Sequence, residues 1–237
     1  MKRSLKTAAD LDADRIRANF EKVRKETDAA CRRTGRGPGE VEILAAAKYI
    51  APDGLTALAE AGINLIGENR AQDLVVKHSL HGDRFTWDFI GHLQSNKVRQ
   101  ILPLVRLIHS VDSLSAVAEI DLRTTGPTPT NVLLEVNIGQ EEGKYGIIPS
   151  EVDRFLEEAK KYLKVNFTGL MAMPPLAADP EVVRPAFAAL RRMASRLSRE
   201  WRGRYQFHHL SMGTSHDFVV AVEEGATIIR VGGALFE

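Results

Sequence analysis

The sequence predicts a (β/α)8 barrel of the TIM type with an extra helix at its amino terminus. Three observations carry that expectation. Eight short apolar runs of strand length alternate with seven helical patterns, the order of a parallel sheet whose crossovers are helices. The chain has 237 residues, about the usual length for such a barrel, with no linker or composition shift long enough to divide it. Most of the apolar runs end in polar or glycine residues, as they do where a barrel carries its working face. An open doubly wound sheet also holds eight strands, but the even count and the length favour closure. One domain over 1–237 is expected, with 1–9 as a flexible tail.

Residues 10–33 form the first helical pattern. Ile16, Phe20 and Val23 recur at spacings of four and three with charge on the other face, and TGRGPGE stops the run. VEILAAAKYI, residues 41–50, is the first strand. APDGLTALAEAG follows as a short helix, with Pro52 and Asp53 suited to its start and Gly62 to its end. INLIGEN is the second strand and leads into a helix over 70–79. TWDFIGH is the third, followed by a short helix over 96–102. LIHSV is the fourth, and DSLSAVAEIDLR is its helix, opened by an Asp or Ser cap. TPTNVLLEVNI is the fifth, with the loop GQEEGKYGI and a helix over 149–162. NFTGLMAM is the sixth, followed by PPLAADP and a long helix to about residue 200. FHHLSMG is the seventh, with its helix over 214–224, and TIIRVGG is the eighth. Only ALFE remains, so the eighth helix is missing. The helix over 10–33 has two possible places: in that gap, or across the bottom of the barrel.

Composition excludes several classes. A formal net charge of +1 gives no sign of a nucleic-acid or membrane-surface protein. The single cysteine, Cys31, rules out an internal disulfide framework, and its charged neighbours Arg32 and Arg33 suggest an incidental surface or half-buried thiol. The first residues lack the apolar core of a secretory signal, and no run of 18 apolar residues exists to span a membrane. A soluble cytoplasmic protein is expected.

The chemistry lies at the strand ends. Lys48 closes the first strand on the side of Leu44 and Ala46. An amine partly desolvated there has a lowered pKa and attacks a carbonyl to form a Schiff base; alone, it reads more readily as a lysine snorkelling off a strand end. Glu68, Asn69, His92, Gln94, Asn96, Ser110, Asn137, Lys144, Met171 and Met173 lie at the ends of the middle strands. At strand seven, LSMGTSHDF passes through Gly213 into a helix start holding Thr214, Ser215 and Asp217. Thr214 with Asp217 also fits a capping box. Gly213 and the hydroxyls, with Gly232 and Gly233 after strand eight, form a candidate anion site, and barrels frequently hold a phosphate between loops seven and eight. An amine on strand one facing a phosphate site suits a ligand with an aldehyde at one end and a phosphate at the other. Pyridoxal 5′-phosphate has both. Arg230, two residues before Gly232, would donate to the pyridine nitrogen and leave it unprotonated; a salt bridge with Glu68 or another rim carboxylate is the alternative.

The strings LAAAKYIAPDGLTALAEAG, LIGENRAQDL, WDFIGHLQSNK, IHSVDSL, LLEVNIGQEEGKYGI, GLMAMP, LSMGTSHDF and IIRVGGALF, in this order, resemble the pyridoxal phosphate homeostasis protein family. Its bacterial members are called YggS-like, and its human member is the proline synthase co-transcribed homologue. The resemblance covers residues 10–237 and implies a fold-type III barrel similar to the amino-terminal domain of alanine racemase. It further implies that Lys48 carries the cofactor covalently and that Arg230 faces the pyridine nitrogen. The phosphate would be held by Ser211, Gly213, Thr214, Ser215, Gly232 and Gly233, while Asn69, His92 and Asn96 shape the mouth. Three positions depart from the family pattern. Gly233 stands where a hydroxyl residue is usual, SMGTS replaces SMGMS, and Glu237 replaces a glycine.

Enzymes built on this barrel usually add a second domain with an opposing acid–base group, for which this chain has no room. The implied function is that of a carrier or buffer of pyridoxal phosphate serving vitamin B6 homeostasis, with apo-enzymes as recipients, and a monomer is expected. No catalytic residue and no metal site are assigned. An amino-acid racemase is the runner-up, with Tyr145 or His92 as the second proton-transfer group. A Schiff-base aldolase acting on a sugar phosphate is the third reading, and it leaves Arg230 without a role.

Overall fold

Parallel pairing in strict sequence order closes the sheet. The computed structural model describes residues 5–237. Among them, β1 (Glu42–Ala46), β2 (Leu65–Glu68), β3 (Thr86–Phe89), β4 (Leu107–Val111), β5 (Thr130–Glu135), β6 (Val165–Met171), β7 (His209–Thr214) and β8 (Ile228–Val231) form a closed barrel. The seam joins β1 to β8 with Leu44 opposite Arg230 and Ala45 opposite Val231. Outside lie α1 (Ala13–Arg33), α2 (Leu55–Glu60), α3 (Ala71–His81), α4 (Val98–Ile101), α5 (Leu114–Arg123), α6 (Val152–Ala159), α7 (Arg184–Glu200), α8 (Phe218–Glu223) and α9 (Gly233–Phe236). All strands run one way, so their carboxyl ends share a single rim.

The position of α1 settles the missing helix. Asp12 caps it, accepting from the backbone N–H of Asp14 and Arg15 at 2.9 and 3.1 Å. Its apolar stripe of Ile16, Phe20 and Val23 is buried, and it packs against α8, α9 and α2. The helix therefore fills the gap in the outer ring, and the four-residue α9 completes the closure. Asn19 Nδ2 donates to the carbonyl of Leu235 at 3.1 Å, which ties the two ends of the chain together.

Three expectations change. Residues 1–4 of the expected tail lie outside the described residues, but 6–9 are held in place. The Lys6 N–H donates to Tyr49 O and the Ala51 N–H to Lys6 O, both at 2.7 Å, and Ala8–Asp10 form a single helical turn. Cys31 is fully buried rather than at the surface, because it lies on the inner face of α1; burial pushes its thiol pKa up. The first strand ends at Ala46, and Lys48 and Tyr49 form a turn before Ile50.

Strand alternation divides the core. Leu44, Leu107, Leu133, Met171 and Ile228 meet inside the barrel, and a larger apolar layer lies between strands and helices. The inward phase also carries Asp88, His109, Ser211 and Arg230, all buried. The interior is thus apolar at some levels and hydrogen-bonded at others, and β4 and β8 carry both kinds of side chain. Among the described residues no helix is long and apolar enough to cross a membrane.

Candidate functional site

The turn after β1 presents Lys48 on the barrel rim. The Ala47 N–H still continues the ladder to Gly67 O at 2.9 Å, and the Ile50 N–H closes the turn on Ala47 O at 2.9 Å. Lys48 between them is exposed, with Nζ 5.2 Å from the ring centre of Tyr49. The amine is therefore not desolvated at the end of a buried strand, as expected from the sequence; a short β1 carries it out to solvent. The turn beneath it is held from α3 and β2. Lys77 from α3 is buried, donates to Ala47 O at 2.9 Å and forms an ion pair with the buried Glu68. Glu68 in turn accepts from the Asn69 N–H at 2.7 Å. Glu68 is thus the partner of Lys77 and not of Arg230.

Across the β1–β8 seam stands the loop after β8. A Cβ built on Gly232 would lie 3.5 Å from Ala46 O and 3.7 Å from Ala46 Cβ, so this loop runs alongside the strand end that leads to Lys48. The N–H groups of Gly232 and Ala234 converge on one oxygen, Ser215 Oγ, at 3.0 and 3.1 Å. Two backbone donors aimed at one point make the kind of cradle that accepts an oxyanion. Gly213 has φ +92°, and a Cβ there would approach Ala221 Cβ to 2.6 Å, so only glycine lets β7 turn into this loop. Gly233 has room: a Cβ would meet the Glu237 carboxyl group at an ordinary 3.5 Å.

Two residues assigned to the phosphate from sequence are engaged elsewhere. Thr214 donates to Asp217 Oδ1 through its backbone N–H at 2.5 Å and through its hydroxyl at 3.0 Å, the turn-closing alternative. Ser211 is fully buried below the rim, bonded to Arg230 Nη1 at 2.5 Å and His109 Nδ1 at 2.8 Å.

Arg230 is a buried cation. Nη1 donates to Ser211 Oγ, Nη2 donates to Ala172 O at 3.0 Å, and no described carboxylate forms an ion pair with it. Burial pulls its pKa down to about 10 against the opposing fields of Glu135 and Asp217, which leaves it protonated at neutral pH. A cavity of about 220 Å³ opens above it, lined by Ala172, Met173, Gly213, Thr214, Asp217 and Arg230. Lys48 lies outside this lining, on the neighbouring stretch of the same rim. A larger groove of about 370 Å³ lies at the opposite end, under α1, where Glu42 and Arg106 mark the strand starts.

The mouth-shaping residues separate. Asn69 is half-buried and packs so closely that a Cβ on Gly91 would fall 2.0 Å from its carbonyl oxygen. His92 is exposed and stacks on Tyr145 with ring centres 3.8 Å apart, its Nδ1 3.8 Å from Asp112 Oδ2. The two side chains considered for a second proton transfer thus meet each other. Asn96 is exposed in the single turn Ser95–Lys97.

Sequence reasoning missed Glu135, His109 and Asp88. Glu135 ends β5 in the same phase as Leu133 and is buried with Oε2 unpaired. Burial, then the charge of Asp112, raises its pKa to about 7. The available signal was phase: each of the three stands two residues from an inward apolar side chain, Leu133, Leu107 and Ile90 respectively.

The residues fit a ligand bearing an aldehyde and a phosphate. An amine, a pair of convergent amides and a buried cation with unused N–H groups share one rim.

Comparison with known proteins places the chain among relatives of one family. A family model described as "Alanine racemase, N-terminal domain" matches residues 11–237. A pyridoxal phosphate homeostasis protein of Aquifex aeolicus is 40% identical over 94% of this chain and 96% of its own. The Escherichia coli K12 protein of the same name is 34% identical over 93% and 95%. PipY of Synechococcus elongatus, solved with PLP bound, superposes with a TM-score of 0.78 at 28% identity, covering 94% of this chain and all of that one.

Proposed function

The chain belongs to the family of the alanine racemase N-terminal domain and, within it, to the pyridoxal phosphate homeostasis proteins, and on that premise we propose that it carries or buffers pyridoxal 5′-phosphate. Lys48 holds the aldehyde covalently and reversibly. The convergent N–H groups of Gly232 and Ala234, with Ser215, Gly213 and Gly233 around them, take the phosphate. Arg230 faces the pyridine nitrogen, and Asn69 and His92 border the opening. Bound in this way, the cofactor supplies electrophilic and electron-withdrawing chemistry, and the protein's part is to keep the free aldehyde low.

The observation that carries this reading is the placement of a buried, protonated Arg230 beneath the same rim that bears Lys48 and the amide pair. A guanidinium under the ring makes it a weaker electron sink than a carboxylate partner would. It does not give up its proton, so the ring nitrogen accepts a hydrogen bond without becoming a strong electron sink. It also gives Arg230 the role that an aldolase would leave vacant. The exposure of Lys48 suits exchange with amines from solution, and so release to apo-enzymes. The protein acts in the cytoplasm as a monomer.

Addition of pyridoxal phosphate to the cofactor-free protein should produce an absorbance band near the visible edge that Lys48→Ala abolishes. A wild-type protein that develops no such band does not bind the cofactor in this way. Incubation with amino acids in deuterated water separates carrier from racemase: rapid appearance of deuterium at Cα would favour the enzyme.

A further inference from the structure

The inward-facing polar residues are joined end to end. Starting at the rim, Arg230 Nη1 donates to Ser211 Oγ at 2.5 Å. Ser211 Oγ is 2.8 Å from His109 Nδ1, and His109 Nε2 is 3.1 Å from Asp88 Oδ2. Asp88 accepts from Arg106 Nε at 3.0 Å and Nη2 at 2.7 Å, and Arg106 reaches Glu42 at the strand starts through Nη1 at 2.6 Å and Nη2 at 3.0 Å. Asp88, His109 and Ser211 have no solvent exposure, and Arg230 is 6% exposed. The chain therefore crosses the barrel from floor to mouth through a buried interior.

Donor and acceptor counting gives it a single direction. Asp88 is held ionised: its pKa is lowered by hydrogen bonds from His109 and Arg106, which outweigh burial, the largest single influence and an opposing one. His109 is neutral, because burial lowers its pKa and the neighbouring Arg230 and Arg106 add to that, against Asp88. A neutral imidazole facing a carboxylate carries its proton on Nε2, which leaves Nδ1 as an acceptor. The Ser211 hydroxyl then donates to Nδ1 and turns its lone pairs towards Arg230. Were His109 protonated on Nδ1, the Ser211 oxygen would have to accept from both the imidazole and the guanidinium, and its own hydrogen would lack a partner.

We propose that Ser211, His109 and Asp88 are positioning residues for Arg230, a buried relay that fixes the guanidinium's orientation so that its remaining N–H groups serve the ring nitrogen of the bound cofactor. The inference rests on the carrier reading above. It explains why a fully buried serine sits within β7, at the start of its glycine- and hydroxyl-rich stretch, without facing the rim cradle. Arg230 is a cation without an ion pair in a packed interior, and the relay supplies the lone pair that keeps one of its N–H groups satisfied.

The probes are pyridoxal phosphate and its deaza analogue, in which the ring nitrogen is replaced by C–H while aldehyde and phosphate remain. Ser211→Ala and His109→Leu should each weaken pyridoxal phosphate about tenfold, the worth of one hydrogen bond to a charged group. The double variant should be no weaker than either single one, because both cut the same chain. The analogue should bind wild type and variants alike. Equal losses for both ligands would reduce the relay to a packing role, and no loss for either would overturn it. Nitrogen NMR of His109 in the cofactor-free chain gives a second readout that does not depend on cofactor: the Nε2–H tautomer is expected, and an Nδ1–H or doubly protonated ring would contradict the relay. If wild type fails to bind pyridoxal phosphate while His109 shows the expected tautomer, the carrier reading fails and the hydrogen-bonded chain stands.

Discussion

Gly233 is the residue whose replacement tests the phosphate cradle most simply. Its backbone is open to a side chain, and the nearest contact of an added Cβ is an ordinary 3.5 Å. Gly233→Ser should tighten pyridoxal phosphate by up to about tenfold through one more donor to an anion, measured by titrating the absorbance band. Glu135 makes a different prediction. Its folded-state pKa of about 7 lies above the ordinary 4.5, so between these values the native chain holds a proton that the unfolded chain has lost. Stability from this group is full below pH about 4.5 and falls as pH rises through about 7. Glu135→Gln should remove that fall and gain on the order of 1 to 3 kcal/mol at pH 8 with no difference at pH 4, read from denaturant melts. At this scale the sequence made Lys48, Arg230 and the glycines legible, because each ends a strand in a recognisable string. The family resemblance, through the string LSMGTSHDF, implies Ser211 among the phosphate ligands. Its burial follows from β7 continuing to Thr214, which keeps residue 211 inside the barrel.

Among the elements, the turn after β1 is the one whose geometry decides function, and it is held from three sides. Lys6 brackets it through backbone bonds to Tyr49 and Ala51, β2 holds Ala47 N, and Lys77 holds Ala47 O. The Lys77–Glu68 pair is almost wholly buried, so removing one partner leaves a charge without compensation. Lys77→Met should cost about 3 to 5 kcal/mol of unfolding free energy, and the double variant Lys77→Met with Glu68→Gln should cost less. A variant Lys77→Met as stable as wild type would show the pair to be idle. Little of this was visible beforehand. The run VEILAAAKYI is apolar throughout, so periodicity alone gave no sign that pairing stops at Ala46. Lys77 stands in the helical pattern over 70–79 with no motif to mark it, and the packing of α3 against β2 turns it inward.

For the whole molecule, alternation of eight apolar runs with helices specifies a parallel sheet, because parallel strands need crossovers, and the even count and the chain length favour its closure. The missing eighth helix was also readable, and α1 fills the gap through its own amphipathic stripe. The line of polar residues through the barrel was not readable as a connected unit. Asp88, His109, Ser211 and Arg230 come from four strands separated by as many as 102 positions in a single contact, and none forms a local motif. What barrel closure achieves is to place an exposed amine, an amide cradle and a buried cation on one rim. The most direct measurement is borohydride reduction of the protein mixed with pyridoxal phosphate, followed by mass spectrometry of its peptides. The added mass should sit on the peptide bearing Lys48 and on no other lysine; label spread over surface lysines, or absent from Lys48, would contradict the assignment of this rim as the cofactor site.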